Sequence, residues 1–199
     1  EERKALNAAF AHDLRTPLTV LKGYNEMLRA SDNSQTRETA ATMGKHISRM
    51  ENYVSSMSNL RRMEDTQPDY KLIDLQPLVS SLYDSAKIVC TKNGKELILQ
   101  NDIPILQLSL DSAFISQVCN NLISNAVRYA RTLVTISFAL HDNGLLLSVS
   151  DDGNGFDKDS LQKAANPYFT GESNHSEHFG LGLYICKLLC EHHNGYLRI

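Results

Sequence analysis

Three groups of residues in this chain have types and spacings suited to chemistry. The first centres on His12, in the run Phe10-Ala11-His12-Asp13-Leu14-Arg15-Thr16-Pro17-Leu18. Phe10, Leu14, Pro17, Leu21, Tyr24 and Leu28 follow one another at steps of 4, 3, 4, 3 and 4, a heptad stripe. With Phe10 at position d, His12 falls at f, turned away from partner helices. Asp13 stands beside it, and Thr16 lies one turn further along the same face. An imidazole outside the core, next to a carboxylate on a rigid helix, is a candidate reacting group; a solvated surface histidine fits this run equally well.

The second group is Asn121, Asn125, Arg128 and Tyr129, along one face of a helix expected over 111–130. Val118, Leu122, Ala126 and Ala130 occupy another face. Asparagine is a mediocre helix former, so two of them one turn apart on a polar face ask for a reason. Neutral amide oxygens can complete a Mg²⁺ shell whose charge comes mainly from nucleotide phosphates. Arg128 could neutralise a phosphate and Tyr129 could stack on a base; a plain amphipathic surface helix is the competing reading.

The third group is glycine-punctuated. Val149-Ser150-Asp151-Asp152-Gly153-Asn154-Gly155-Phe156 leaves a strand and enters a loop. Asp151 could accept a hydrogen bond from an adenine amino group, with Gly153 and Gly155 admitting the ring close to the backbone. Phe179-Gly180-Leu181-Gly182-Leu183 opens a helix, where free N–H groups and the dipole favour phosphate. Each signal alone is weak. Their order along the chain is far more specific.

The elements that must carry these residues divide at a linker. A helix over 1–30, the turn Ser31-Asp32-Asn33-Ser34 and a helix over 37–64 form a hairpin. Met43, Ile47, Met50, Val54 and Met57 continue the heptad spacing on the second helix. Two helices cannot close a core, so a second copy is expected to complete a four-helix bundle; packing of the seams on the C-terminal half is the alternative. Pro17 removes a backbone donor and is expected to kink the first helix. Glu64-Asp65-Thr66-Gln67-Pro68-Asp69 reads as the linker, giving domains 1–65 and 66–199.

Beyond it, strands are expected at 70–74, 95–101, 106–109, 132–140, 145–150 and 195–199, with helices over 75–91, 111–130 and 180–193 and a short one between. That pattern predicts an α/β sandwich with helices on one face of a mixed sheet.

Composition narrows the class. The chain has 199 residues, 42% hydrophobic and 22% charged, with net charge −3 and scattered basic residues, which argues against a nucleic-acid surface. No apolar run approaches the roughly 20 residues of a membrane span, so no membrane contact is expected within this segment. Cys90, Cys119, Cys186 and Cys190 read as buried reduced thiols. A zinc site of Cys186, Cys190, His192 and His193 would require one helix to converge all four. His46, His141, His175, His192 and His193 read as structural or solvated.

Taken together, the three groups resemble the catalytic core of a sensor histidine kinase of a two-component system. Residues 10–18 resemble its H-box, 117–129 its N-box, 151–155 its G1 box and 180–183 its G2 box, while His193-Asn194-Gly195-Tyr196-Leu197 is similar to the segment that closes its nucleotide domain. The resemblance implies a dimerisation and histidine-phosphotransfer hairpin followed by a Bergerat-fold (GHKL) domain that binds ATP and Mg²⁺. It implies that Asn125 coordinates Mg²⁺, that Asn121 and Arg128 contact phosphates, that Tyr129 lies against adenine and that Asp151 recognises its amino group. Gly153 and Gly155 would line the ring, and Gly180, Leu181 and Gly182 would hold phosphate and anchor a lid over 166–179. His12 would take the γ-phosphoryl group and pass it to an aspartate on a response-regulator receiver domain. Asp13 would orient the imidazole, and Thr16 would position water for dephosphorylation of the regulator. The implied setting is a homodimer in the cytoplasmic portion of a membrane-anchored bacterial sensor.

Three features depart from the family pattern. Ala165-Asn166-Pro167-Tyr168-Phe169-Thr170 lacks the first phenylalanine and the final arginine of the F-box, His178 replaces a frequent glycine, and a further closing strand is expected after Ile199. The missing arginine keeps open a pseudokinase or phosphatase-biased module, and the shared nucleotide fold keeps open a GHKL-type ATPase.

Overall fold

The computed structural model describes residues 2–142, 144–169 and 180–199. Its described residues divide into two compact units, one before Gln67 and one from Gln67 onward.

The first unit is a helical hairpin of α1 (Glu2–Arg29) and α2 (Ser34–Asp65). Helix α2 starts three residues earlier than the periodicity suggests because Asn33 caps it. The Asn33 side chain accepts from the amides of Gln35 and Thr36 at 2.9 and 3.1 Å. Arg37 closes the turn by donating to the carbonyls of Ser31 and Asp32, both at 2.9 Å. Helix α1 runs on through Pro17. Leu18, Ala40, Ile47 and Val54 are buried between the helices, and Asn25 is only 4% exposed. On α1 the heptad stripe lies off this seam: Pro17, Leu21, Tyr24 and Leu28 are exposed, and Leu14 is half-buried. An intrachain hairpin needs only one flank of each helix: on α1 most of the stripe lies outside that flank, whereas on α2 Ile47 and Val54 of the stripe enter the seam and Met43 and Met50 stay exposed.

The second unit contains β1 (Lys71–Asp74), α3 (Leu75–Lys92), β2 (Glu96–Asn101), β3 (Gln107–Leu110), α4 (Ser112–Tyr129), β4 (Leu133–His141), β5 (Gly144–Asp151), α5 (Lys158–Lys163) and α6 (Gly182–His192). Five expected strands form within two residues of their predicted ends. They make two ladders, not one sheet: β1 pairs antiparallel with β3, while β4 lies between parallel β2 and antiparallel β5. Strand β4 alternates from Leu133 to Ala139, and its inward Val134, Ile136 and Phe138 share one core with Leu75 and Val79 of α3 and Ile123 of α4. Helix α6 packs on α4 through a second cluster of Phe114, Val118, Cys186 and Leu189.

The strand expected at 195–199 does not form. A strand exists only by its ladder, and these residues pair with no strand among the described residues.

Candidate functional site

Helix α4 is fixed first. Asp111 caps it, accepting from the amides of Ala113 and Phe114 at 2.9 and 3.1 Å. Burial opposes ionisation of Asp111, but the amides of Asp69, Phe114 and Ala113 outweigh it and hold the carboxyl below its ordinary range. Phe114, Val118, Cys119, Ile123, Ala126 and Val127 are buried, which sets the rotation of the helix. Asn121, Asn125, Arg128 and Tyr129 are left half-buried on the remaining surface. The Asn121 Nδ2 is buried without a hydrogen-bond partner among the described residues. Such a group costs free energy unless something polar meets it. The Arg128 guanidinium lies 5.1 Å from the centroid of the Tyr129 ring.

The loop after β5 presses on the end of α4. A Cβ at Gly153 would sit 2.4 Å from the Tyr129 carbonyl oxygen and 2.5 Å from Asp151 Oδ1, so only glycine fits there. Asp151 Oδ1 accepts from the Gly153 amide at 2.8 Å, leaving the exposed carboxylate at the mouth of this contact. Tyr129 and Asp151 are thereby brought to one place. Gly155 has φ +69° in open space, a turn position suited to glycine.

Helix α6 supplies the third wall. A Cβ at Gly182 would stand 4.0 Å from Asn121 Oδ1, so the asparagine face adjoins the start of α6. Among the described residues no side-chain hydrogen bond caps that start, where the first N–H groups of the helix carry a positive field. Leu181 is buried, so only its backbone serves the site. Gly180 has φ +64°, and a Cβ there would meet the Phe169 carbonyl oxygen at 2.2 Å. Thus the residues flanking 170–179 touch one another, with Tyr168 also in the left-handed region at φ 65°. Thr170 and His178 lie outside the described residues, as does most of the expected lid.

In the first unit, Thr16 is exposed on α1. The side chains of His12 and Asp13 lie outside the described residues, although the backbone of α1 passes through both positions.

Two family models match the chain. Residues 2–66 match the His Kinase A (phospho-acceptor) domain, and residues 110–199 match the histidine kinase-, DNA gyrase B-, and HSP90-like ATPase family. The chain belongs to the two-component sensor histidine kinases. This histidine kinase is 28% identical over 202 residues to the sensor histidine kinase YvrG of Bacillus subtilis, covering 96% of the chain and 35% of that protein. It is 27% identical over 208 residues to the sensor protein SrrB of Staphylococcus aureus, covering 99% and 35%. The chain therefore spans about a third of the length of these relatives. Among solved structures it is similar to full-length ShkA in complex with AMPPNP, with TM-score 0.70 and 19% identity over 94% of this chain and 41% of that one. It is also similar to the histidine kinase AdeS of Acinetobacter baumannii, with TM-score 0.59 and 21% identity over 91% and 86%. These likenesses establish the fold as a helical region followed by the GHKL-type α/β domain.

Sequence reading of this histidine kinase missed the second aspartate of the loop. Asp152 takes the amides of Arg131, Thr132 and Leu133. Its only sequence signal is the doublet Asp151-Asp152. The cysteines play no such part: burial pushes Cys119 up to about 11 and Cys186 up to about 12, so both remain protonated packing groups.

Proposed function

We propose that this chain is an ATP-dependent kinase core that phosphorylates itself on His12 and passes the phosphoryl group to an aspartate of a response-regulator receiver domain. The observation that carries the reading is the buried Asn121 amide, which has no partner and adjoins an uncapped start of α6 among the described residues. A polyanion satisfies both at once. The Gly153 cradle between Tyr129 and Asp151 lies at the other end of the same helix face, where a flat base would fit.

The residues suit the nucleotide and its metal. Tyr129 and Asp151 would hold the adenine, and Asn121, Arg128 and the amides of Gly180, Leu181 and Gly182 the phosphates. Asn125 would offer its amide oxygen to Mg²⁺, which supplies charge neutralisation on the phosphates. His12 Nε2 would attack the γ-phosphorus, a N–P bond forming as the bond to the β–γ bridging oxygen breaks and ADP leaves. Asp13 would hold the Nδ1 proton and orient the ring, and Thr16 would place water when phosphate is removed from the regulator. The exposed stripe of Val20, Tyr24 and Met27 would pair with a second copy. The domains so assigned are 1–65 for dimerisation and phosphotransfer and 66–199 for ATP binding, on the cytoplasmic side of a membrane-anchored sensor. Among the described residues, no helix is long and apolar enough to cross a membrane.

The test is incubation with γ-labelled ATP and Mg²⁺, with His12→Ala as the comparison. Acid-labile, base-stable label on the chain, absent from His12→Ala, is the expected result. Free phosphate released equally by both proteins would make it an ATPase, and nucleotide binding without label would make it a pseudokinase.

A further inference from the structure

The turn from α4 into β4 carries an unusual concentration of hydrogen bonds, and one side chain supplies most of them. Asp152 Oδ1 accepts from the amides of Arg131, Thr132 and Leu133 at 2.7, 3.0 and 3.1 Å. Asp152 Oδ2 accepts from the Thr132 amide at 3.1 Å and its hydroxyl at 2.7 Å. Three successive N–H groups thus form a concave nest, and the carboxylate fills it. The Thr132 hydroxyl, then its amide and those of Leu133 and Arg131, drive the Asp152 carboxyl far below the usual carboxylate range.

The turn's carbonyls are equally engaged. Lys95 Nζ donates to Ala130 and Arg131 oxygens at 2.7 and 2.8 Å. A second bolt runs from Arg131 Nη2 to Asn154 Oδ1 at 2.6 Å. These contacts bracket the close approach of Gly153 to the Tyr129 carbonyl. The Asp152 and Arg131–Asn154 contacts join the end of that helix to the loop bearing Asp151, and Lys95 ties the same turn to the start of β2.

We propose that Asp152 is a positioning residue for the nucleotide base: it locks the Asp151 loop against the end of α4, so that Asp151 and Tyr129 hold one fixed spacing across a purine. The inference rests on the nucleotide reading above and deepens it. Asp151 touches the base, and Asp152 makes Asp151 stand where the base needs it. Loss of Asp152 therefore acts on recognition of adenine before it acts on the phosphate end, where Asn121 and the start of α6 are held by other contacts.

The experiment compares the whole chain with Asp152→Asn, which keeps the shape and removes the charge that the nest holds. Calorimetric titration with ATP and with GTP is read alongside KM and kcat for His12 labelling. The expected result is a roughly tenfold weaker affinity for ATP, the scale of one charge-assisted hydrogen bond, with little change for GTP and a KM effect well above that on kcat. Equal loss for ATP and GTP would reduce Asp152 to general scaffolding and overturn the proposal, as would unchanged ATP affinity in a folded variant. Should Asp152→Asn fail to fold, Thr132→Val removes only the hydroxyl partner and must show the same preference in smaller measure. Wild-type chain that binds no ATP refutes the nucleotide reading itself; wild-type binding with an indifferent Asp152→Asn refutes only this assignment.

Discussion

A methyl group at residue 153 has nowhere to go, because the Tyr129 carbonyl and the Asp151 carboxylate already occupy its space at 2.4 and 2.5 Å. Backbone on one side and a hydrogen-bonded side chain on the other give little room for relaxation. Gly153→Ala is therefore expected to push the Asp151 loop off α4 and weaken ATP binding on the order of tenfold or more, the usual scale of overpacking at about 1–3 kcal/mol. Gly155→Ala is the internal comparison. Residue 155 has φ +69° with nothing within 4 Å, so alanine there strains the backbone by about 1 kcal/mol and blocks no contact. Titration of both variants with ATP should show the larger loss at 153; equal losses would mean that loop conformation, not the approach to Tyr129, governs the site. The same region shows where sequence reading stops. Asp151 and Asp152 are identical in type and adjacent, and what separates them is a nest of amides about twenty residues away, a proximity that no local spacing encodes.

Helices α4 and α6 and the start of the second unit meet at Asp111 and His193. The Asp69 amide donates to Asp111 Oδ2 at 2.9 Å, the Asp111 amide donates to His193 Nε2 at 2.9 Å, and the Tyr70 ring stands edge-on to His193 at 4.9 Å. As an acceptor at Nε2, the His193 ring is neutral with its proton on Nδ1. Burial lowers the His193 pKa below its ordinary 6.5, and the Asp111 charge only partly opposes it. The folded chain therefore binds fewer protons here than the unfolded chain. This contribution to stability is complete above the ordinary value and is lost as pH falls below it. Urea unfolding between pH 8 and 5.5 should show the midpoint falling more steeply for wild type than for His193→Gln, whose amide oxygen can accept the same N–H. Parallel profiles would remove His193 from the latch. Such a role was only partly legible: helix ends follow from caps and periodicity, and β4 from its alternation. The pairing of Asp111 with a histidine 82 residues later, the split into two ladders and the absent strand at 195–199 all depend on neighbours that a local pattern does not name.

The whole hairpin exposes more apolar side chain than an isolated pair of helices should. Its interior is short and contains a polar member: Asn25 is buried against Gly44, where a Cβ would lie 2.9 Å from Asn25 Nδ2, and Asn25 Oδ1 finds no partner among the described residues. Meanwhile Tyr24 is 64% and Met27 72% exposed on α1, with Val20, Leu21 and Leu28 beside them and Met43 and Met50 on α2. A helix pair in this state gains by covering the stripe with an equivalent stripe, and a second copy supplies one by symmetry. Each large side chain so covered contributes about 1.5–3 kcal/mol. A charge placed in the seam both forfeits that and must be desolvated. Tyr24→Glu with Met27→Glu is accordingly expected to raise the dimer dissociation constant by at least about a hundredfold, measured by sedimentation equilibrium, while ATP affinity holds because the residues proposed to bind the nucleotide belong to the second unit. Lys22→Ala, which removes only the exposed pair with Glu51 at 3.2 Å, should leave dimerisation within about twofold of wild type, since such surface pairs contribute little. If the double variant remained dimeric at wild-type concentrations, the association surface would lie elsewhere, and the heptad stripe would have to be explained by contacts with another element.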